Sequence, residues 1–260
     1  MDVLKDITGE NNSFIEGACW PDDIKGVGYR AENNEHFINI PYFKDGYDPK
    51  NPPEIDLHNS TWATKEFKST IDSASRSPVI TNQLTNSISL RFEIHFIGDM
   101  HQPLHDAELY SPDYPTGDLG GNKFKVTTDF RSDIKNLHSF WDSGAGEYTD
   151  FDRPLSQESQ DTLKSMADKL MAENTREDLK KELEIKDIYQ WAQDSYQLGV
   201  DYVYQNIKQY EKITEDGDYT TGARPIVHRQ IALGGYRLAD VLAEAFESRW
   251  EEAEVSKFLG

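Results

Sequence analysis

HFIGDMHQPLH, residues 95–105, puts three histidines and an aspartate into eleven positions of a 260-residue chain with seven histidines in all. It closes a pattern that begins further upstream. Ile80, Leu84, Ile88, Phe92, His95 and Asp99 recur at three- and four-residue steps. That spacing predicts a helix over 78–102, opened by Ser77-Pro78 and ended or kinked near Gln102 by Pro103. Residues four apart on a helix lie on one face, with Cβ atoms ~5–6 Å apart, so His95 and Asp99 belong together. NLHSFWD at 136–142, on a helix predicted over 131–142, repeats the spacing with His138 and Asp142. Imidazole nitrogen with carboxylate oxygen is a ligand set that suits zinc. A single His-x-x-x-Asp pair is usually a surface hydrogen bond. Two pairs on separate helices, with His105 turned off the first face by Pro103, favour a metal cluster. His36 and the acidic pair Asp22/Asp23 are further candidate ligands. His101 lies ~240° around the helix from His95 and reads as a supporting or exposed group. His58 and His228 have no ligand-spaced partner and read as ordinary polar or core histidines.

The rest of the chain is arranged around these two helices. Residues 60–75 are partly helical in pattern, and 157–174, 177–211 and 224–249 give further helical stretches. In the last, Ile231, Leu238, Val241, Leu242 and Phe246 form an apolar stripe. Residues 41–60 hold four prolines and read as irregular. Residues 106–122 form a loop closing in GGN, and FKV at 124–126 is a candidate short strand. The expected fold is all-α, with long loops and at most a short β-hairpin. It is expected as a single domain over 1–260, with 250–260 as a flexible tail.

Composition narrows the function. Forty-seven acidic residues against 27 basic ones give a formal charge of −20. Such a charge opposes long-range attraction to nucleic acid or anionic membrane, so a polyanionic ligand needs local positive charge, for which a metal cluster would serve. Thirteen Tyr, 12 Phe and 5 Trp argue against a disordered acidic tail. No run of 18 apolar residues occurs, so no membrane span is expected. The segment MDVLKDITGENNSF lacks the apolar region of a signal peptide. Cys19 is the only cysteine, so no intrachain disulfide can form. No GxSxG elbow or phosphate loop is present, GDLGGN at 117–122 being a weak candidate for the latter. No basic stripe suits groove-type DNA binding. Asn11-Asn12-Ser13 and Asn59-Ser60-Thr61 fit the glycosylation triplet, a pattern common by chance.

With ACWPDDIK (18–25), EHFINIP (35–41), HFIGDMHQPLH (95–105), GGN (120–122), NLHSFWD (136–142) and the weaker ALGGYRLADVL (232–242), the chain resembles the zinc-dependent type I nucleases. These are the single-strand-specific nucleases and 3′-nucleotidases of the phospholipase C/nuclease superfamily. The resemblance implies a mainly helical fold and a cleft with three zinc ions. Asp22, His36, His95 and Asp99 would bind the first, and His105, His138 and Asp142 the second. Asp99 would bridge to the third. In the family the third zinc also takes an N-terminal tryptophan and a nearby histidine. Here residue 1 is methionine and no histidine precedes His36. The expectation is a chain shortened relative to the family, with a natural two-zinc variant as the alternative.

The implied activity is hydrolysis of the P–O3′ bond of single-stranded DNA and RNA to 5′-mononucleotides, with 3′-nucleotidase activity. Asp22 would orient the attacking water and Lys25 would contact phosphoryl oxygens, though a solvated lysine fits equally. Phe37 would stack on a base, with core packing as the alternative. Asn122 and Asn39 would contact the base; Asn39 stands where the family commonly has aspartate, which removes a carboxylate acceptor. A monomer is expected, and for the whole protein a secretory, vacuolar or periplasmic location. Three other readings remain: a zinc phospholipase C, in which the second zinc's acidic ligand is typically glutamate where this chain has Asp142, a catalytically impaired zinc-binding fragment, and an acidic helical protein whose histidines merely pack.

Overall fold

The computed structural model describes residues 13–76 and 83–259. The central element is α4 (Gln83–Asp99), the helix that carries His95 and Asp99. One side of it meets α2 (Trp20–Gly26) and α3 (Ser60–Arg76). There Phe92 and Phe96 pack with Trp20, Ile24 and Ala63, and the rings of Phe67 and Phe92 stack at 4.8 Å. The other side presents Ile97 and Met100 to Ile38, Ile40, Ile188, Trp191 and Val241, which joins it to α9 (Ile188–Leu198) and α10 (Asp218–Leu259). A helix with apolar contacts on opposite sides is a buried one. Fully burying a side chain such as Phe96 is worth about 1.5–3 kcal/mol, so α4 is held firmly in place. The start expected at Ser77-Pro78 lies outside the described residues.

Asn59 shows how α3 begins. Its Oδ1 accepts from the Thr61 and Trp62 N–H groups at 3.0 and 3.2 Å, the side-chain cap that a helix start requires. The side chain of this glycosylation triplet is therefore occupied as a cap, at 8% exposure.

Proline ends α4 as expected. Gln102, next to Pro103, is extended (φ −96°, ψ 112°), and its Oε1 accepts from Leu104 N–H to cap α5 (Pro103–Asp106). The helix carrying His105 thus starts afresh at an angle set by the proline.

Regular structure departs from expectation where pairing is non-local. Within 106–122, Ala107–Tyr110 form β2, which pairs in parallel with β1 (Ile40–Phe43), Ile40 opposite Ala107. A second parallel pair joins β3 (Thr127–Thr128) to β4 (Lys212–Ile213). The strand content is thus two parallel pairs and no hairpin among the described residues, and the regular strand begins at Thr127, just past FKV. All four residues of β2 are buried, so it shows no alternation to read.

The helix expected over 131–142 is only α6 (Leu137–Asp142), because Asn136 caps it from an extended conformation. The stretch 177–211 breaks into α8 (Lys180–Leu183), α9 and a π turn over Gly199–Val203, with Asp187 capping α9. α7 (Gln157–Glu173) follows its prediction. α10 starts earlier than expected, passes Pro225, and continues to Leu259 through the segment expected as a tail. Among the described residues no helix is long and apolar enough to cross a membrane.

Candidate metal centre

Local structure aims the ligand candidates. Pro21 sits in the first turn of α2, where its missing N–H costs nothing, and Asp22 follows it. A 3₁₀ turn over Asn33–His36 buries His36, 4% exposed, against Phe96 at a ring distance of 5.0 Å. His95 and Asp99 come from α4, His105 from α5, and His138 and Asp142 from α6.

These side chains converge in two groups. In the first, His36 Nδ1, His95 Nε2 and Asp99 Oδ2 lie 2.9, 2.9 and 3.1 Å from one another, and Asp22 oxygens stand 3.7–3.8 Å from both imidazoles. In the second, Asp142 lies 3.3 Å from His138 Nε2 and 3.8 Å from His105 Nε2. Asp99 connects the two, its other oxygen 3.6 Å from His105 Nδ1. Four ligands at ~2.0–2.1 Å in a tetrahedron have edges of roughly 3.3–3.4 Å, close to these separations.

The protons point the same way. The Nδ1–H of His95 donates to Ala18 O, that of His105 to His36 O and that of His138 to Gly120 O, at 2.6, 2.8 and 2.6 Å. A carbonyl only accepts, so each Nδ1 keeps its proton. In the neutral imidazole Nε2 is then a free lone pair, the tautomer that metal-binding histidines need. His36 turns its Nδ1 inward toward the lone pair of His95. Such an approach calls for a proton or a cation between them.

Charge balance agrees. Burial pulls His36 and His138 down toward the neutral form. It acts likewise on His95 and His105, but Asp99, Asp22 and Asp142 outweigh it, and His105 is pushed up to about 10. Burial would raise Asp99, yet the adjacent imidazoles hold its carboxyl well below the usual range. The pocket attracts positive charge, which protons or metal ions can supply.

A cleft of about 920 Å³ opens over both groups. Asp22, Lys25, His36, Phe37, Asn39, Asp99, His105, Asn122, His138 and Asp142 line it, and His95 reaches in from behind through Nε2. Lys25 Nζ lies 2.6 Å from Asp22 Oδ1. Phe37 is half-buried, so its ring keeps a free portion. Asn39 takes a left-handed backbone, φ 52°, which asparagine tolerates better than most residues. Asn122 is exposed and its amide donates to Leu119 O.

Several sequence readings change. Asp23 turns away from the cluster and forms a bidentate pair with Arg153, so only Asp22 of that acidic pair reaches the histidines. His101 is buried; its Nδ1–H donates to Ile97 O and its Nε2 accepts from Arg237, which makes it a support for α4. Gly120 and Gly121 of GGN are both left-handed. A Cβ on Gly120 would lie 2.3 Å from Leu104 O, so the doublet lets this loop press on α5 and hand a carbonyl to His138. His228, which has no ligand-spaced partner in the sequence, contacts Glu147 and Glu173 at 2.8 and 3.2 Å.

Leu119 is a cleft residue that the sequence reading does not single out. It is a left-handed leucine, φ 57°, 51% exposed on the cleft wall. An apolar side chain held in a strained backbone at a cleft is a functional signal, visible in sequence only as the residue before GGN.

The family model for S1/P1 Nuclease matches residues 1–247 of the chain. Among curated proteins the chain is similar to Endonuclease 3 of Arabidopsis thaliana, with 29% identity over 95% of this chain and 82% of that protein. It is also 29% identical to Nuclease S1 of Aspergillus oryzae over 58% of this chain and 52% of the relative. A shorter stretch of 55 residues, 21% of this chain and 17% of the relative, is 54% identical to Nuclease P1 of Penicillium citrinum.

Proposed function

The chain belongs to the S1/P1 nuclease family and is a metal-dependent hydrolase of nucleic acid, and from that premise we propose that it is a zinc phosphodiesterase specific for single strands. It would hydrolyse the P–O3′ bond of DNA or RNA to 5′-mononucleotides and release phosphate from 3′-nucleotides. The observation that carries this reading is the pair of His/Asp groups opening into one cleft.

The donor set fits zinc: imidazole nitrogens and carboxylate oxygens at tetrahedral spacing, with the outer nitrogens of His95, His105 and His138 fixed by carbonyls. Asp22, His36, His95 and Asp99 would hold one ion, and His105, His138 and Asp142 another. A third, implied by the resemblance, would share Asp99. When bound, zinc supplies Lewis acidity toward water and phosphoryl oxygens.

The chain's own residues do the rest. Asp22, its side chain 60% exposed to the cleft, would orient the attacking water and take up its proton. The Lys25 ammonium, beside Asp22, would oppose charge gathering on the phosphoryl group as the P–O3′ bond breaks. Phe37 would offer a face on which any base can stack, worth ~1–3 kcal/mol, and Leu119 adds apolar surface to the cleft. Asn39 and Asn122 would meet the base edge. A duplex keeps its base faces stacked internally, which would give the single-strand preference.

The test is hydrolysis of single-stranded DNA, the same sequence as a duplex, and phosphatidylcholine. The expected order is rapid, slow and none. Release of phosphocholine without nucleotides would overturn the reading in favour of a phospholipase.

A further inference from the structure

Two short basic segments meet outside the cleft. Lys123-Phe124-Lys125 follows Asn122, and Lys208-Gln209-Tyr210-Glu211-Lys212 lies far along the chain. The second parallel strand pair brings them together, Thr127 opposite Lys212. Tyr210 N–H donates to Lys125 O at 2.6 Å, and Thr127 N–H to Glu211 O at 3.0 Å. The Lys125 ammonium reaches back to Asn122 O at 3.0 Å, so the junction abuts the cleft wall.

Tyr210 is unusual in two ways. It is 76% exposed, and its backbone is left-handed, φ 65°, where a bulky L-residue is strained. An aromatic ring held out into water on a strained turn packs little of the core. The charges around it are also unusual for a chain of −20. Glu211 turns its carboxylate to the Lys208 N–H at 2.8 Å, and Lys212 pairs with Asp129 at 3.4 Å. Among the described residues no carboxylate lies within 4.0 Å of the ammonium groups of Lys123, Lys125 or Lys208.

We infer that this junction is a ledge for the single strand as it leaves the cleft, with a base stacked on Tyr210 and phosphates met by Lys125 and Lys208. The inference rests on the nuclease reading of the cleft, and the cleft wall at Asn122 supplies the continuity. Exposed aromatic faces beside lysines are how single strands are held without sequence preference. A ledge outside the cleft serves long substrates and leaves dinucleotides unaffected, so it would make the protein favour polymers over short products.

The test uses the full chain with its zinc in place and fluorescein-labelled, cleavage-resistant phosphorothioate oligothymidylates, one of ~16 nucleotides against one of ~4, spanning the usual site sizes. Fluorescence anisotropy gives the affinities. Tyr210→Asn, a residue at ease in a left-handed backbone, should weaken binding of the long strand at least about fivefold, and that of the short strand less. Tyr210→Phe should restore it. Lys125→Gln with Lys208→Gln should flatten the salt dependence by about 1.4 in log–log slope, ~0.7 per phosphate contact. Wild-type affinity of Tyr210→Asn for the long strand, or equal weakening at both lengths, would overturn the ledge. Cleavage is scored separately on the dinucleotide TpT. Cleavage of TpT by a protein in which Tyr210 has no effect leaves the cleft reading standing and removes the ledge. Tyr210-dependent binding without TpT cleavage does the reverse.

Discussion

Asp99 touches His36, His95 and His105 at 2.9, 3.1 and 3.6 Å, so one carboxylate holds the two His/Asp groups in register. Asp99→Asn keeps its size and removes its charge. Turnover on single-stranded DNA should fall about a hundredfold or more, beyond what loss of an outer partner costs, with circular dichroism unchanged. Near-normal turnover would assign Asp99 to packing. Gly120 makes a different demand. Its φ of 55°, and the 2.3 Å that would separate a side-chain Cβ from Leu104 O, leave no room for a side chain. Gly120→Ala should cost at least about 1–2 kcal/mol from backbone handedness alone, read by urea denaturation, and a stability equal to wild type would refute the tight approach. At this scale the sequence was informative where geometry is local. His95/Asp99 and His138/Asp142 follow from helix spacing. The departure of Asp23 was not legible, because Arg153 lies 130 positions away. Nor was the exposure of Leu119, which depends on how the GGN loop meets α5.

The packing of α4 against α3 conceals a carboxyl group. Glu93 is fully buried, and among the described residues neither of its oxygens has a hydrogen-bond partner. Burial pushes its pKa up to about 8, Lys68 opposing and Asp72 adding. The folded state therefore keeps the proton where the unfolded chain, near 4.5, has released it. Stability from this group is present below about 4.5 and is lost as pH rises to about 8, at a slope of at most about 1.4 kcal/mol per pH unit. Glu93→Gln should flatten that decline when denaturation is followed across the window; an unchanged slope would show that Glu93 ionises freely. Elements were legible in proportion to their locality. Caps such as Asn136 and Asp187 cut helices shorter than apolar spacing suggested, since spacing says which face is buried and nothing of where a side chain captures the first N–H groups. The parallel strand pairs were illegible because each strand is short and its partner distant.

At the scale of the molecule, a chain of formal charge −20 must bind a polyanion. General attraction works against it, so the binding must come from local cations and from stacking. The cleft has candidates for both, with Lys25 and two His/Asp groups that could hold metal along its walls, and Phe37 and Leu119 among its lining residues. Mainly helical architecture was legible from apolar periodicity, and so was half of the candidate site, because His95, Asp99, His138 and Asp142 lie on helices that periodicity identifies, whereas Asp22, His36 and His105 enter from α2, a 3₁₀ turn and α5, which it did not. Whether the two His/Asp groups bind catalytic zinc is decided by elemental analysis of a purified, folded sample never exposed to chelator, with single-strand cleavage assayed on the same material before and after chelation. At least two zinc ions per chain are expected, with cleavage that disappears with the metal and returns when zinc is restored. A folded sample with no zinc, or cleavage indifferent to its removal, would contradict the zinc reading.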